Sequence, residues 1–228
     1  MIGIAGTYNE LVWWIVKIQN AHTYLEIGVM YGDTFNEIRK IVPRAIGVDV
    51  NKRDTVIPKC EFYEMTSDNF FGQFKEKADV IFIDADHRFE QLVKDFENSL
   101  NILNQGGTII MHDTDPCEKK RLVPTSCADS YKIIEHIHVN HPELDIVTFP
   151  VSVMGISVVR RKNDRRVLGL LCKDLCHEIS GKLPEVIAEA ESFAPLMKGD
   201  DFIKIDHVDP NSKNTRFVHR KTKAEQNN

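Results

Sequence analysis

The stretch Ala78–Phe96, ADVIFIDADHRFEQLVKDF, decides the fold. Val80, Ile81, Phe82 and Ile83 follow one another without polar alternation, the pattern of a strand buried on both faces. Such strands belong to parallel sheets covered by helices on both sides. Beyond them Phe89, Leu92, Val93, Phe96, Leu100 and Leu103 recur at three and four residues, the period of a helix with one inward stripe. Where the two periods meet, the chain places Asp84, Asp86 and His87, three ionisable side chains at one strand tip.

The same unit repeats on either side. Upstream, TYLEIG (23–28) is a strand that stops at a glycine. DTFNEIRKIV (33–42) is a helix ending before Pro43, and RAIGVDV (44–50) is a second strand. CEFYEM (60–65) reads as a weaker strand and SDNFFGQFKEK (67–77) as a short helix or loop. Thr7 and Glu10 have capping-box spacing, so an opening helix is expected over about Tyr8–Asn20. Downstream, GGTIIMHD (106–113) is a fifth strand introduced by a glycine turn, and DSYKIIEHIHVN (129–140) is a helix stopped by Pro142. LDIVTF (144–149) and GISVVRR (155–161) are strands joined too closely for a crossover helix, hence an antiparallel pair. The expected fold class is α/β: a doubly wound, mostly parallel seven-stranded sheet with helices on both faces and an antiparallel last strand.

A chain of 228 residues holds one such domain. Residues 1–163 are expected to form it, including the N-terminal helix. Residues 164–198 read as a helical extension, amphipathic through Val167, Leu168, Leu171, Leu175 and Ile179, and 199–228 as a polar, mobile tail. The net charge of -5 predicts no general attraction to nucleic acid or to an anionic membrane. The apolar run LVWWIVKI is interrupted by Lys17 and too short to span a bilayer. Five cysteines without a CxxC pair suit a reduced, cytoplasmic setting. Cys172, Cys176 and His177 sit at helical spacing among leucines and read as buried helix residues. His136, His138 and His141 read as surface residues.

Ligands of open α/β sheets bind beyond the carboxyl ends of the strands. The first strand ends in LEIGVMYGDT, a glycine turn into a helix, and the second delivers Asp49, where a carboxylate can accept both hydroxyls of a ribose. A dinucleotide fingerprint needs G-x-G-x-x-G, whereas this loop has only Gly28 and Gly32. Glu26 would repel phosphate and suit an amino group or a cation. Together with GVDVN and IDADH, the loop resembles the class I S-adenosylmethionine-dependent methyltransferases, whose first motif is E-x-G-x-x-x-G, over about Thr23–Arg160. The resemblance implies that Glu26, Gly28, Gly32 and Asp49 face S-adenosylmethionine, and that Thr66, Ser67 and Asp68 flank its adenine.

Strands four and five are expected neighbours, which brings Asp84, Asp86 and His87 close to His112 and Asp113. Oxygen and imidazole groups on adjacent strand tips suit a divalent cation, which lowers the pKa of a coordinated hydroxyl. This resembles a metal-dependent O-methyltransferase branch that includes macrolide-sugar enzymes. The resemblance implies Asp84 and Asp113 as metal ligands, Asp84 also bordering the cofactor, and His87 as the base. His112, expected as the third ligand, stands where that branch has a glutamate; the expected metal is magnesium or manganese, and a nitrogen ligand is less suited to magnesium and more acceptable to manganese, iron or zinc. Asp86 reads as a cap of the following helix. The expected function is methyl transfer to a hydroxyl of a small-molecule substrate, with residues 114–129 as a lid over it. The apolar helices after Asn163 make a second copy of the chain a candidate partner. Two rivals share the sequence features: an NAD-dependent oxidoreductase using Asp49, and a non-catalytic RNA-binding module using RRKNDRR (160–166) and KNTRFVHRKTK (213–223).

Overall fold

The computed structural model describes residues 8–56, 60–116, 119–149 and 154–161, together with 203–204 and 218–219. Helix α1 (Tyr8–Ile18) leads into β1 (Thr23–Ile27), α2 (Asp33–Ile38), β2 (Arg44–Asp49), β3 (Glu61–Glu64) and α3 (Ser67–Gln73). Then follow β4 (Ala78–Ile83), α4 (Phe89–Ile102), β5 (Leu103–His112), α5 (Ile133–Asn140), β6 (Leu144–Phe149) and β7 (Ile156–Arg161).

The seven strands are ordered β3-β2-β1-β4-β5-β7-β6. The first five pair in parallel, and β7 runs antiparallel to both β5 and β6. The expected antiparallel last strand is therefore present, but inside the sheet, with β6 at the edge. Strand order reverses between β1 and β4, the switch point at which ligands of such sheets bind.

Alternation along each strand sends side chains to two cores. Tyr24, Val80, Phe82, Ile110 and Val158 face α1 and α2, where they meet Leu11, Ile15, Phe35 and Ile38. Leu25, Ile27, Ile81, Ile83, Ile109 and Met111 face the opposite side, against Phe70, Leu92, Phe96, Ile133 and Ile137. Both faces of the central strands are dry, as their unbroken apolar runs predict.

Several boundaries differ from the sequence expectation for local reasons. Helix α1 ends at Ile18 because Asn20 takes a left-handed conformation with φ 50°. Helix α2 stops at Ile38, and its last turn tightens into Lys40-to-Glu37 and Ile41-to-Ile38 bonds. Strand β5 begins at Leu103, not after a glycine turn. Its register against β4 jumps from Ala78–Leu103 to Val80–Thr108, and the bulge between takes up Gly106 at φ 76°. Leu103 thus belongs to the sheet rather than to the α4 stripe. That stripe carries buried Asp95 and Ser99 instead.

The helical extension expected at 164–198, with Cys172, Cys176 and His177, lies outside the described residues, as do Thr7 and most of both basic runs. Within 199–228 the two-residue strands β8 (Ile203–Lys204) and β9 (Val218–His219) pair antiparallel. Among the described residues no helix is long and apolar enough to cross a membrane.

Candidate active site

The tips of β1, β2 and β4 enclose a cleft of about 520 Å³, a size suited to a small molecule. Gly28, Asp49, Thr66, Ser67, Asp68 and Asp84, all expected at a cofactor, line it. Gly28 has φ +89°, and a β-carbon there would stand 2.1 Å from the carbonyl oxygen of Asp84, so only glycine lets the β1 turn pass the β4 tip. Its N–H donates to the Val48 carbonyl at 2.8 Å, and the Asp84 N–H donates to the Ile27 carbonyl at 2.8 Å. Asp49 accepts one backbone N–H on each oxygen, from Met30 at 2.8 Å and from Asn51 at 3.0 Å. Those bonds fix the carboxylate and leave lone pairs on both oxygens for hydroxyls in the cleft.

Glu26 and Gly32 do not line this cleft. Gly32 is the N-cap of α2 at φ 80°. Glu26 shares the inward parity of Tyr24 on β1, is 2 % exposed, and accepts the Tyr24 hydroxyl on Oε2 at 2.5 Å. Burial, reinforced by the charges of Asp84 and Asp49, pushes its pKa well above the usual carboxylate range despite the Tyr24 bond. A carboxyl whose folded pKa exceeds its unfolded one binds more protons when folded, so its contribution to stability falls as pH rises above about 5. Glu26→Gln should therefore keep the Tyr24 bond and remove that loss. In calorimetric melts the variant's advantage over the wild type should grow from about pH 5 upward. Parallel pH profiles for the two proteins would show that Glu26 is charged in the fold.

On the other side of Asp84 a second hollow opens, lined by Tyr8, Met30, His112, Asp113 and residues of the 120–126 segment. Asp84 and Met30 border both spaces. His112 Nδ1 lies 3.1 Å from Asp84 Oδ1 and 3.6 Å from Asp113 Oδ1, and its ring stacks on Tyr8 at 3.8 Å between centroids. His87 Nδ1 lies 3.0 Å from Asp113 Oδ2 and donates to the Ser126 carbonyl, while its Nε2 faces Asp84 Oδ1 at 3.5 Å. Both Nε2 atoms are buried: that of His112 has no hydrogen-bond partner among the described residues, and that of His87 meets only the Asp84 carboxylate, at 3.5 Å. Asp113 has φ 60°, a left-handed conformation costly for a residue other than glycine, and one that points to a functional constraint.

The electrostatics of the cluster follow from these contacts. Burial opposes a charge on His87, but hydrogen bonding to Asp84 and the carboxylate charges of Asp113 and Asp84 outweigh it and raise its pKa to about 9. Burial likewise opposes ionisation of Asp84, yet His112 and His87 hold it below the usual carboxylate range. Protonated His87 therefore bridges two carboxylates as an internal cation.

Asp86 does not cap α4. It pairs with Arg88 and accepts the Arg88 N–H at 3.0 Å, while the Phe89 N–H is capped by Asp129 at 2.8 Å. Sequence reading also missed Tyr8 and Asp95. Asp95 lies on the cleft wall, accepts from Gln91 at 3.2 Å, and is raised to about 6 chiefly by burial. Its only sequence signal is a polar break, Asp95 and Ser99, in an apolar stripe. Nor are His136 and His141 simply solvated surface groups, since both are half-buried around Glu97.

Residues 25–114 match the family model described as a methyltransferase domain. No curated protein sequence matches the chain. Among solved structures, the cofactor-bound protein Rv0187 from MTB aligns with a TM-score of 0.57 at 16% identity, over 71% of this chain and 82% of that one. The O-methyltransferase from Bacillus cereus, solved in complex with SAH, aligns at 0.52 and 18% identity, over 68% and 80%. The O-methyltransferase TomG from Streptomyces achromogenes, in complex with SAM, aligns at 0.55 and 13% identity, over 68% and 79%. Residues 25–114 thus match a methyltransferase-domain model, and the chain shares its fold with solved O-methyltransferases.

Proposed function

We propose that the chain is an S-adenosylmethionine-dependent methyltransferase that acts on a hydroxyl of a small-molecule acceptor, with a divalent cation, magnesium or manganese, at the strand tips. The observation that carries the reading is the place of Asp84, which borders the cleft on one side and the hollow with His112 and Asp113 on the other. A donor held in the cleft and an acceptor held in the hollow would meet across it. Bound S-adenosylmethionine supplies an electrophilic methyl group, and a divalent cation supplies Lewis acidity toward the acceptor oxygen.

The chain's own groups do the rest. Asp49 accepts the ribose hydroxyls, and Gly28 lets backbone approach the ligand. Asp84 and Asp113 are the oxygen donors for the cation. His112 offers the single atom Nδ1 to both of them, which fits a third ligand. Ligand atoms of Asp84, His87 and Asp113 also lie within 4.8 Å of one another, but His87 presents a different nitrogen to each carboxylate, which suits a bridge better than a ligand. With those carboxylates neutralised, His87 loses the reason for its second proton. Nδ1–H stays on the Ser126 carbonyl, and Nε2 becomes free to take the acceptor's proton. The 120–126 segment, part of the stretch 114–129 expected as a lid, walls the hollow.

The test is methyl transfer to a panel of sugars, phenols and other hydroxylated acceptors, paired with calorimetry of S-adenosylhomocysteine. Asp49→Ala should weaken binding by roughly 1.5–3 kcal/mol, the scale of a charge-assisted hydrogen bond. Unchanged affinity in that variant would remove Asp49 from the cofactor site, and transfer to amines or thiols alone would sink the hydroxyl reading.

A further inference from the structure

Away from the active site, α4, α5 and the turn into β6 bring together Glu97, His136 and His141. His136 Nε2 and His141 Nε2 both point at one atom, Glu97 Oε1, at 3.1 and 2.7 Å. One potential ligand atom from each residue lies within 4.8 Å of the others. Two donors on one tetrahedral zinc ion, with bonds of about 2.0–2.1 Å, stand roughly 3.3 Å apart, so the side chains are already near the spacing of a shared coordination sphere.

The second ring nitrogen of His141 is also committed. Nδ1 faces Glu143 Oε1 at 3.1 Å, and its N–H donates there. Both nitrogens of His141 thus meet carboxylates, and something positive must lie between Nε2 and Glu97. In the ion-free chain that is a proton. The Glu143–His141 pair is the carboxylate–histidine arrangement that orients metal-bound imidazoles and raises their basicity. Phe96 packs edge-on against the His141 ring at 5.5 Å and Phe89 against His136 at 6.0 Å, limiting rotation of both.

We propose that Glu97, His136 and His141 form a second metal site, for a zinc-class transition ion, that clasps α5 and the start of β6 to α4. Two imidazoles and one carboxylate suit zinc, cobalt or nickel better than magnesium or calcium. Glu97 is 39% exposed, so water can fill the remaining coordination position. Ion binding releases one proton from His141 to solvent and moves the His136 proton from Nε2 to Nδ1. The Asn140 amide, which now donates to that Nδ1 at 3.1 Å, turns to present its oxygen.

The experiment uses the tag-free full chain, stripped with chelator, in an Asp113→Asn background that disables the active-site cluster. Cobalt(II) is titrated while its visible ligand-field bands are followed, and zinc is tested by its effect on thermal unfolding. One cobalt ion per chain should bind, and zinc should raise the melting temperature. Adding Glu97→Gln or His136→Gln should weaken cobalt binding by about 100-fold or more, and Glu143→Gln by about tenfold. If the Asp113→Asn chain does not fold, the wild type carries the same test, with Glu97→Gln lowering its stoichiometry by one ion. Cobalt binding indifferent to Glu97→Gln and His136→Gln, or no binding, overturns the site.

Discussion

His87→Ala is expected to slow methyl transfer by about 10²–10⁴-fold while leaving S-adenosylhomocysteine affinity almost unchanged, the signature of a positioned base that does not hold the cofactor. The reasoning rests on three contacts. The Ser126 carbonyl fixes Nδ1–H, Asp113 Oδ2 lies 3.0 Å from the same nitrogen, and Nε2 is buried with only the Asp84 carboxylate, 3.5 Å away, beside it. Once a cation takes over Asp84, Nε2 is the nitrogen left to accept a proton. His87 does not line the cleft, so its loss should spare the cofactor. It does bridge two carboxylates, and alanine would leave Asp84 and Asp113 facing one another without the intervening charge. The variant's residual rate should therefore depend more steeply on added manganese or magnesium than the wild-type rate does. Both proteins are assayed against the acceptor panel with and without chelator. Full activity that survives His87→Ala and chelation together would make the cluster a structural one, and a metal-free transferase on the same fold the better account.

The sequence made the sheet and its tips legible because strand parity is a local property. The unbroken run Val80–Ile83 implies a neighbour on each side, and its end must deliver Asp84 beside the end of the next strand, where His112 and Asp113 stand. The same parity held information about Glu26. It shares a face with Tyr24, which points into the α1 core, and the hydrogen bond between them follows from that alternation. Motif resemblance drew Glu26 toward the cofactor, whereas the alternation points it inward.

Contacts set by helix docking were a different matter. An inward stripe says that α4 packs on the sheet but not which residues of α5 come to meet it. Glu97 therefore gave no hint that His136 and His141 would close around one of its oxygens. Tyr8 stacks on His112 across the width of the α1 layer, and no local period encodes that contact.

Gly28→Ala should damage fold and site together. At φ +89° an alanine pays about 1–2 kcal/mol for the left-handed backbone alone. Its β-carbon would meet Asp84 O at 2.1 Å, Asp84 C at 2.6 Å and Ala85 Cα at 2.7 Å, all backbone atoms that no rotamer change can move aside. Overpacking of this kind adds roughly 1–3 kcal/mol. The sum, about 2–5 kcal/mol, is a large share of a typical domain's stability and corresponds to a fall in melting temperature of roughly 4–20 °C for a chain of this size. The clash is relieved only if the β1 turn and the β4 tip separate. That strains the Asp84-to-Ile27 bond on one side and withdraws Asp84 from His112 on the other. Cofactor affinity and metal-stimulated rate should therefore fall together. Gly72→Ala is the matched control: it adds the same methyl group inside α3, where a β-carbon meets nothing within 4 Å, and should stabilise the chain by about 0.5–1 kcal/mol. The two variants, compared by thermal unfolding and S-adenosylhomocysteine calorimetry, should move in opposite directions. A Gly28→Ala protein that melts and binds like the wild type would mean that the β1 turn does not abut the β4 tip, and the assignment of Asp84 to both hollows would fall with it.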